Sequence, residues 1–156
     1  MDDLIAKSTA IVRGTVTDSW AAFTGSVIYT HYKIQVSETL KGASQESVEI
    51  VVTGGTVNGL RQNFSGSPTL NRGDQFVFFL WTSKAGLTQI MGLTQGLFAV
   101  PRDGSSDATA TRPPTRELML DPATGHPVKD AALSMRLSDL RSRIANTLAT
   151  GKGGGE

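Results

Sequence analysis

Apolar side chains are densest in residues 73–81, which begin with the turn pair Gly73-Asp74. Successive side chains of a β-strand point to opposite faces. Both faces of this run are apolar, one with Phe76, Phe78 and Leu80 and the other with Val77, Phe79 and Trp81. A strand that is apolar on both faces is buried on both, so we predict a central strand with a sheet across one face and a helix across the other.

Alternation of apolar and polar residues with a period of two predicts further strands on both sides of this run. The second strand is the longest, and a strand of that length usually bends at a bulge or curls through a barrel. The predicted strands cover residues 9–18, 27–39, 47–53, 73–81, 87–92 and 96–100.

The segments between the strands are rich in Gly, Ser, Thr and Pro, which is typical of loops. Residues 19–26 are predicted to form a loop that carries two large aromatic residues, Trp20 and Phe23. Residues 54–73 form a longer predicted loop, and loops of this length are often functional. Residues 101–129 lack periodicity, so we predict an irregular, mobile excursion.

Helices are predicted at the two ends of the chain. Asp2 or Asp3 can cap a short helix over residues 4–7. Asp130 can cap an amphipathic helix over residues 131–149, which is predicted to pack on the outer face of the central strand. The apolar stripe of this helix consists of Leu133, Leu137, Leu140, Ile144 and Leu148.

The length of 156 residues suits one domain with an ordinary hydrophobic core. We predict a single domain over residues 1–150, with a barrel at 4–100, the excursion at 101–129 and the packed helix at 130–149. The tail at residues 151–156 is predicted to be disordered.

Composition limits the classes of function. Fifteen basic residues against fourteen acidic residues give a net charge of +1, which provides no overall attraction to nucleic acid or to anionic membranes. The chain has no cysteine, which excludes disulfides, thiolate metal ligands and a cysteine nucleophile. No apolar run approaches the roughly 18 residues that a membrane-spanning helix requires, so we expect no membrane insertion.

The sequence contains no pattern typical of a catalytic or metal centre. His31 and His126 are the only histidines, and neither lies in a zinc-ligand motif. Asp121 is close to His126, but a zinc site needs three or four ligands, and an ordinary turn is the simpler interpretation. No serine lies in a G-x-S-x-G motif. We therefore expect a noncatalytic chain without a cofactor or a metal.

The order of the strand motifs resembles that of a known superfamily. The motifs are Ala10-Ile11-Val12-Arg13-Gly14-Thr15-Val16, then Tyr29-Thr30-His31-Tyr32-Lys33-Ile34, then Leu40-Lys41-Gly42, then Gly73-Asp74-Gln75-Phe76-Val77-Phe78-Phe79-Leu80. This order resembles the tissue inhibitor of metalloproteinases and netrin-module (NTR-like) superfamily, as a cysteine-free member of bacterial type. In that superfamily an I-V-R-G-x-V strand, a long strand ending near K-G and a G-x-x-Y/F-hydrophobic strand build an OB barrel.

The resemblance covers about residues 4–100 and implies a mainly β fold. The expected architecture is a small five- to six-stranded antiparallel OB-like barrel with a short N-terminal helix and a C-terminal amphipathic helix packed on the outside. The resemblance also implies an exported, noncatalytic module that binds another macromolecule, with an exported protease as one candidate partner. The inhibitors place an N-terminal cysteine on the protease zinc, and this mechanism does not transfer to a chain without cysteine.

OB barrels commonly bind ligands through the face of strands two and three and through the adjoining loops. In this chain that surface carries aromatic and cationic side chains, which suit stacking or anchoring of a partner. Trp20 and Phe23 can instead fold back to cap the barrel end, and His31 can be an ordinary solvated histidine. The candidate binding residues are Trp20, Phe23, Tyr29, His31, Lys33, Glu49 and Val51, together with Leu60, Arg61 and Phe64 of the long loop.

Three functions remain open from the sequence. The first is noncatalytic binding of a protein partner through one barrel end. The second is binding of single-stranded nucleic acid or of a saccharide on the strand face, and nucleic acid is disfavoured because Lys33 is the only cation there. The third is a structural accessory domain of an exported protein. We expect an extracytoplasmic location after removal of a signal peptide, with a cytoplasmic location as the alternative. The sequence does not indicate an oligomeric state.

Overall fold

The computed structural model describes residues 2–64, 68, 70–84, 86–91, 95–101, 108–112, 119–120, 127–128 and 133–154. The chain is mainly β and has two helices, as the sequence predicts. The elements in chain order are α1 (Asp2–Lys7), β1 (Ala10–Thr24), β2 (Val27–Lys41), β3 (Ser47–Thr53), β4 (Gly55–Val57), β5 (Leu60–Gln62), β6 (Gln75–Thr82), β7 (Thr88–Ile90), β8 (Leu97–Val100), β9 (Thr109–Arg112), β10 (Met119–Leu120), β11 (Pro127–Val128), β12 (Leu133–Arg136) and α2 (Leu137–Gly154).

Eight of the strands form one antiparallel sheet instead of the predicted five or six. The order is β12-β9-β8-β6-β1-β2-β3, and β7 pairs with the end of β6. The sheet curls so that β3 lies beside β7. Among the described residues no backbone pairing joins these two strands, so the sheet is not closed. Two further pairs, β4 with β5 and β10 with β11, form small separate sheets.

The predicted central strand is β6, which pairs with β1 on one side and with β8 on the other. Val77, Phe78, Phe79 and Leu80 are each 0% exposed, which confirms that both faces are buried. Trp81 is an exception, because it lies at the end of β6 outside both clusters of buried apolar side chains. Its side chain is exposed, and the prediction of burial was wrong for this residue.

One core cluster lies between the sheet and the two helices. Val77 and Phe79 of β6 contribute to it together with Ile5 of α1. From α2, the predicted stripe residues Leu137, Leu140 and Ile144 are buried in the same cluster. Burial of a large apolar side chain contributes roughly 1.5–3 kcal/mol, so this stripe is what holds the helix on the sheet.

The second core cluster lies inside the curl of the sheet. Phe78 and Leu80 of β6 meet Val16, Ile34 and Ile50 from β1, β2 and β3. The inward faces predicted for the second and third strands are confirmed by these positions. The side chains on the outer faces of these strands lie outside this cluster.

The C-terminal region differs from the sequence prediction in three respects. The helix begins at Leu137 because residues 133–136 pair as β12 with β9, and Leu133 is exposed instead of lying in the apolar stripe. Strand β9 itself lies within the predicted irregular excursion, where it is held by pairing with β8 and β12. The helix also extends to Gly154, beyond its predicted end at residue 149. Asp130 and residues 155–156 lie outside the described residues.

Candidate functional site

Strands β1 and β2 extend beyond β6 as a long hairpin, and β3 pairs with β2 along residues 29–35 of it. Strand β6 pairs with β1 only as far as Thr15, whereas β1 and β2 remain paired up to Thr24 and Val27. We call residues 18–33 the hairpin arm. The loop predicted at residues 19–26 was therefore wrong, because only Gly25 and Ser26 form the turn. Gly25 has a φ of 62°, which fits a two-residue II′ turn whose twist matches that of the flanking strands.

The outer face of the arm presents a row of three linked side chains. Trp20 lies opposite His31, and their rings stack with centroids 5.4 Å apart and planes 7° apart. His31 Nδ1 lies 3.3 Å from Glu49 Oε2 on β3. Trp20 remains 42% exposed, but Val51, opposite His31, is only 3% exposed. Trp20 is thus an accessible aromatic surface whose ring is held on one side by His31. Val51, a predicted binding residue, is not accessible.

Tyr29 and Lys33 lie on the same outer face as His31, two positions to either side of it on β2. Lys33 lies opposite Asp18 on β1 and Glu49 on β3. Its positive charge is therefore surrounded by two carboxylates, so this face is not basic. The structure brings these predicted site residues together with Trp20 and His31.

Phe23 lies on the opposite face of the arm from Trp20. It pairs with Ile28, whose side chain is fully buried, and Phe23 is 44% exposed. Neither Trp20 nor Phe23 is buried as a cap on the end of the sheet. The predicted binding residues are thus divided between two faces of the arm.

A second hairpin, β4–β5, packs across the inner face of the arm near Phe23. It turns at Asn58 and Gly59, which have φ angles of 50° and 80°. Positive φ at both positions is the type I′ geometry for which Asn-Gly is the preferred pair. The long loop predicted at residues 54–73 was wrong in this part, and the Asn-Gly pair is the sequence signal that could have revealed the hairpin.

Gln62 fastens this second hairpin to the arm, and it was not among the predicted site residues. Its Oε1 accepts a hydrogen bond from Ile28 N at 2.7 Å, and its Nε2 donates one to Ser26 O at 2.9 Å. Gly54 N donates to Ile28 O at 2.8 Å, and Thr30 Oγ1 donates to Gly54 O at 2.8 Å. The bonds to Ile28 N and Ile28 O satisfy backbone groups of β2 that a neighbouring strand would otherwise satisfy.

Gly55 allows the close approach of the two hairpins. A Cβ atom at this position would lie 2.7 Å from Thr30 Oγ1 and 3.1 Å from Ile28 Cγ2, and the φ of 142° is one that L side chains rarely adopt. The glycine pair at the start of the predicted loop is therefore required for packing and not for loop flexibility.

A cavity of about 380 Å³ opens between the β4–β5 hairpin and strands β2 and β3. Arg61 and Phe64 both line it, so the structure brings these two predicted residues together. Arg61 Nε donates to Asn63 Oδ1 at 3.2 Å. Tyr32 also lines the cavity, and its hydroxyl accepts a hydrogen bond from Leu70 N at 3.3 Å. The cavity can therefore receive a polar or anionic group next to an aromatic wall.

Exposed apolar side chains concentrate around this end of the molecule. Leu60 is 53% exposed and Phe64 is 41% exposed. Both belong to the segment that packs on the inner face of the arm, which is the face of Phe23, while Trp20 lies on the outer face. We call Phe23, Leu60 and Phe64 the apolar rim. Elsewhere in the described part of the chain, the exposed large hydrophobic residues are Trp81 and Leu133.

No group of three or more His, Asp or Glu side chains in the described ranges is placed to hold a metal ion. No helix there has the length and the apolar character needed to span a bilayer. Asp121 and His126, the pair weighed as metal ligands, lie outside the described residues.

Comparison with protein-family models, with curated proteins and with solved structures gave no significant match. Function is therefore inferred from the residues of this chain.

Proposed function

We propose that the chain is a noncatalytic binding module that engages a protein partner through the end formed by the hairpin arm and the β4–β5 hairpin. The observation that carries this proposal is the concentration of exposed large apolar side chains at that end. Contiguous apolar surface with a polar border is typical of protein interaction sites, and aromatic anchors provide much of the binding energy in such sites.

The cavity beside the apolar rim specifies what the partner contributes. Arg61 provides a guanidinium that can form a charge-assisted hydrogen bond with a carboxylate. Phe64 provides an aromatic wall next to it. We infer that the partner inserts an acidic side chain or a chain terminus into the cavity while its apolar residues cover the rim. An exported protease is the partner class that the netrin-module resemblance supports.

Site-specific photo-crosslinking tests this proposal. A photoreactive phenylalanine analogue replaces Phe64 in one variant and Trp81 in a matched control, because both side chains are exposed but only Phe64 lies on the rim. With exported and cytoplasmic fractions of the source cells, we expect a discrete protein adduct from position 64 alone. Excess unlabelled wild-type chain should compete for it, and a Phe23→Ser, Leu60→Ser chain should not. Identical adducts from both positions would contradict the proposal.

A second candidate function is saccharide binding on the outer face of the arm. Trp20 is accessible and is fixed by its stack on His31, which suits a platform for the apolar face of a sugar ring. Single-stranded nucleic acid fits this face less well, because Lys33 is flanked by the carboxylates of Asp18 and Glu49.

Tryptophan fluorescence distinguishes the two candidate functions. In a Trp81→Phe chain, Trp20 is the only remaining tryptophan, so its emission reports directly on the platform. Saccharide binding predicts a saturable change with neutral oligosaccharides that disappears in Trp20→Ala. An unchanged spectrum across a panel of oligosaccharides and single-stranded DNA at low salt would remove this candidate and leave the protein-binding proposal unaffected.

We further propose that the curled sheet is an incompletely closed barrel of the OB type, related to the netrin modules and acting outside the cytoplasm. The approach of β3 to β7 around one apolar cluster supports the barrel. A role as a structural accessory domain of an exported protein follows from the same resemblance. Fractionation of the source cells tests the location, and an experimental structure in which β3 and β7 belong to separate layers would contradict the barrel.

A further inference from the structure

One edge of the hairpin arm is not paired with any of the described strands. Up to Thr15, β1 is paired with β6, and Val16 N and O are bonded to Asp74 O and Gly73 N at 2.9 and 2.8 Å. Beyond Val16, none of the described strands pairs with the side of β1 that faces away from β2. We call residues 19–23 on this side the free edge.

The hydrogen-bonding groups of the free edge can be assigned from the register. Phe23 lies opposite Ile28, whose N–H and C=O bond to Gln62 and Gly54 on the side away from β1. In an antiparallel pair, opposite residues either bond to each other or both point outward, so the backbone groups of Phe23 point away from β2. The period of two gives Ala21 and Ser19 the same direction. The hydrogen bond of Ser19 N is consistent with this direction, because Ser19 N donates to the side-chain atom Asp18 Oδ1 at 2.8 Å and not to β2.

Residues 19–23 of the free edge carry none of the charged or proline residues that commonly protect an edge against strand addition. Proteins commonly protect exposed edges with charged residues, with proline or with a covering segment. The sequence Ser19-Trp20-Ala21-Ala22-Phe23 contains no charged residue and no proline. Its backbone donors and acceptors therefore favour an added antiparallel strand.

We propose that this strand is the same edge of a second copy of the chain, paired antiparallel about a two-fold axis at Ala21. The hydrogen-bonded pairs are then Ala21 with Ala21 of the second copy and Ser19 with Phe23 of the second copy. The backbone groups of these three residues all point away from β2. On the outer face, Trp20 lies beside Ala22 of the second copy, and on the inner face Phe23 lies beside Ser19. Each large side chain thus meets a small one, which is the self-complementarity that a two-fold interface requires.

The charges and the size of this interface determine its strength. Asp18 lies opposite Thr24 of the second copy, so no like charges meet. The interface consists of one short strand pair and the exposed parts of four aromatic rings, which is less than the roughly 1,200 Å² of a standard stable interface. The dimer is therefore weak and depends on protein concentration. It uses the strand edge and shares Phe23 with the apolar rim, but it does not require the partner proposed for that rim.

Charge substitutions at Thr24 test both the dimer and its register by sedimentation velocity over about 1–300 μM protein, a range suited to a weak interface. Thr24 is exposed, so its substitution leaves the fold intact. Thr24→Asp places a carboxylate opposite Asp18 twice in each dimer, and Thr24→Lys places an ammonium there. We expect the dimer dissociation constant to rise about three- to tenfold in Thr24→Asp and to fall by a similar factor in Thr24→Lys.

The difference between the two variants should shrink in high salt, because the paired groups are exposed. Circular dichroism spectra and melting temperatures equal to those of the wild type establish that both variants are folded. A chain that remains monomeric up to the highest concentration would overturn the proposal. A dimer whose dissociation constant is the same in both variants would overturn it as well, since the copies would then associate elsewhere.

Discussion

The attachment of the β4–β5 hairpin to the hairpin arm can be tested by removing the side chain of Gln62. In the wild type, Oε1 of Gln62 satisfies Ile28 N, and Ile28 is 0% exposed. Gln62→Ala leaves this buried N–H without an acceptor, which costs about 1–3 kcal/mol. The more exposed bond from Nε2 to Ser26 O adds about 0.5–1.5 kcal/mol. We therefore expect a loss of about 2–4 kcal/mol in the free energy of unfolding.

Gln62→Glu provides a finer comparison. A carboxylate oxygen can still accept from Ile28 N, but the other oxygen faces Ser26 O with no proton between them, so the expected loss is about 1–3 kcal/mol. Arg61→Ala is the matched control on the same strand. The Arg61 side chain is exposed and bonds only to Asn63 among the described residues, so this variant should lie within about 0.5 kcal/mol of the wild type.

Urea unfolding followed by tryptophan fluorescence measures these differences, and amide hydrogen exchange at Ile28 locates them. If the hairpin opens before the sheet unfolds, Gln62→Ala lowers the free energy of opening at Ile28 N–H, as measured by hydrogen exchange, by more than it lowers the free energy of global unfolding. A Gln62→Ala chain within about 0.5 kcal/mol of the wild type and with unchanged protection at Ile28 would show that Gln62 does not hold the two hairpins together.

Three further predictions concern the sheet and its helices. Gly14→Ala should lower the free energy of unfolding by about 1–3 kcal/mol, because its Cβ would lie 2.6 Å from Ile34 Cγ2; an unchanged urea midpoint would contradict this. Arg13→Met should raise the melting temperature, because Arg13 is 6% exposed and its Nε has no hydrogen-bond partner in the described structure; a lower melting temperature is the adverse result. Burial lowers the pKa of Lys41 below its ordinary 10.5, so the unfolded chain binds more protons between the lowered pKa and 10.5, and stability rises with pH in that window. Lys41→Met should remove this rise, and an identical pH dependence of unfolding in both chains would refute it.

The parts of the fold that follow from local periodicity could be predicted from the sequence. Alternation with a period of two identified β6 and the inward face of β2, because strand geometry alone places alternate side chains on one face. The spacing of Leu137, Leu140 and Ile144 identified the buried stripe of α2 for the corresponding reason in a helix. Each of these features depends only on residues close together in the chain.

Other elements depend on pairing with distant residues. Residues 133–136 continue the helical pattern of α2, but they form a strand because β9 offers them backbone partners. β9 in turn lies in a segment without periodicity. Local propensity differences are small, and a row of cross-strand hydrogen bonds outweighs them. The same applies to residues 19–24, whose small residues indicate a loop until β2 pairs with them.

The sequence by itself determined the candidates for binding, which are Trp20, Phe23, Tyr29, His31, Lys33, Arg61 and Phe64. Only the tertiary structure decided which of them lie together. The register between β1 and β2 shifts between Val16 and Asp18, which leaves Thr17 without a partner in the pairing. A one-residue shift moves every later side chain to the other face. Trp20 therefore lies outside beside His31 and Phe23 lies inside beside the β4–β5 hairpin, because backbone pairing between strands, and not local sequence, fixes that register.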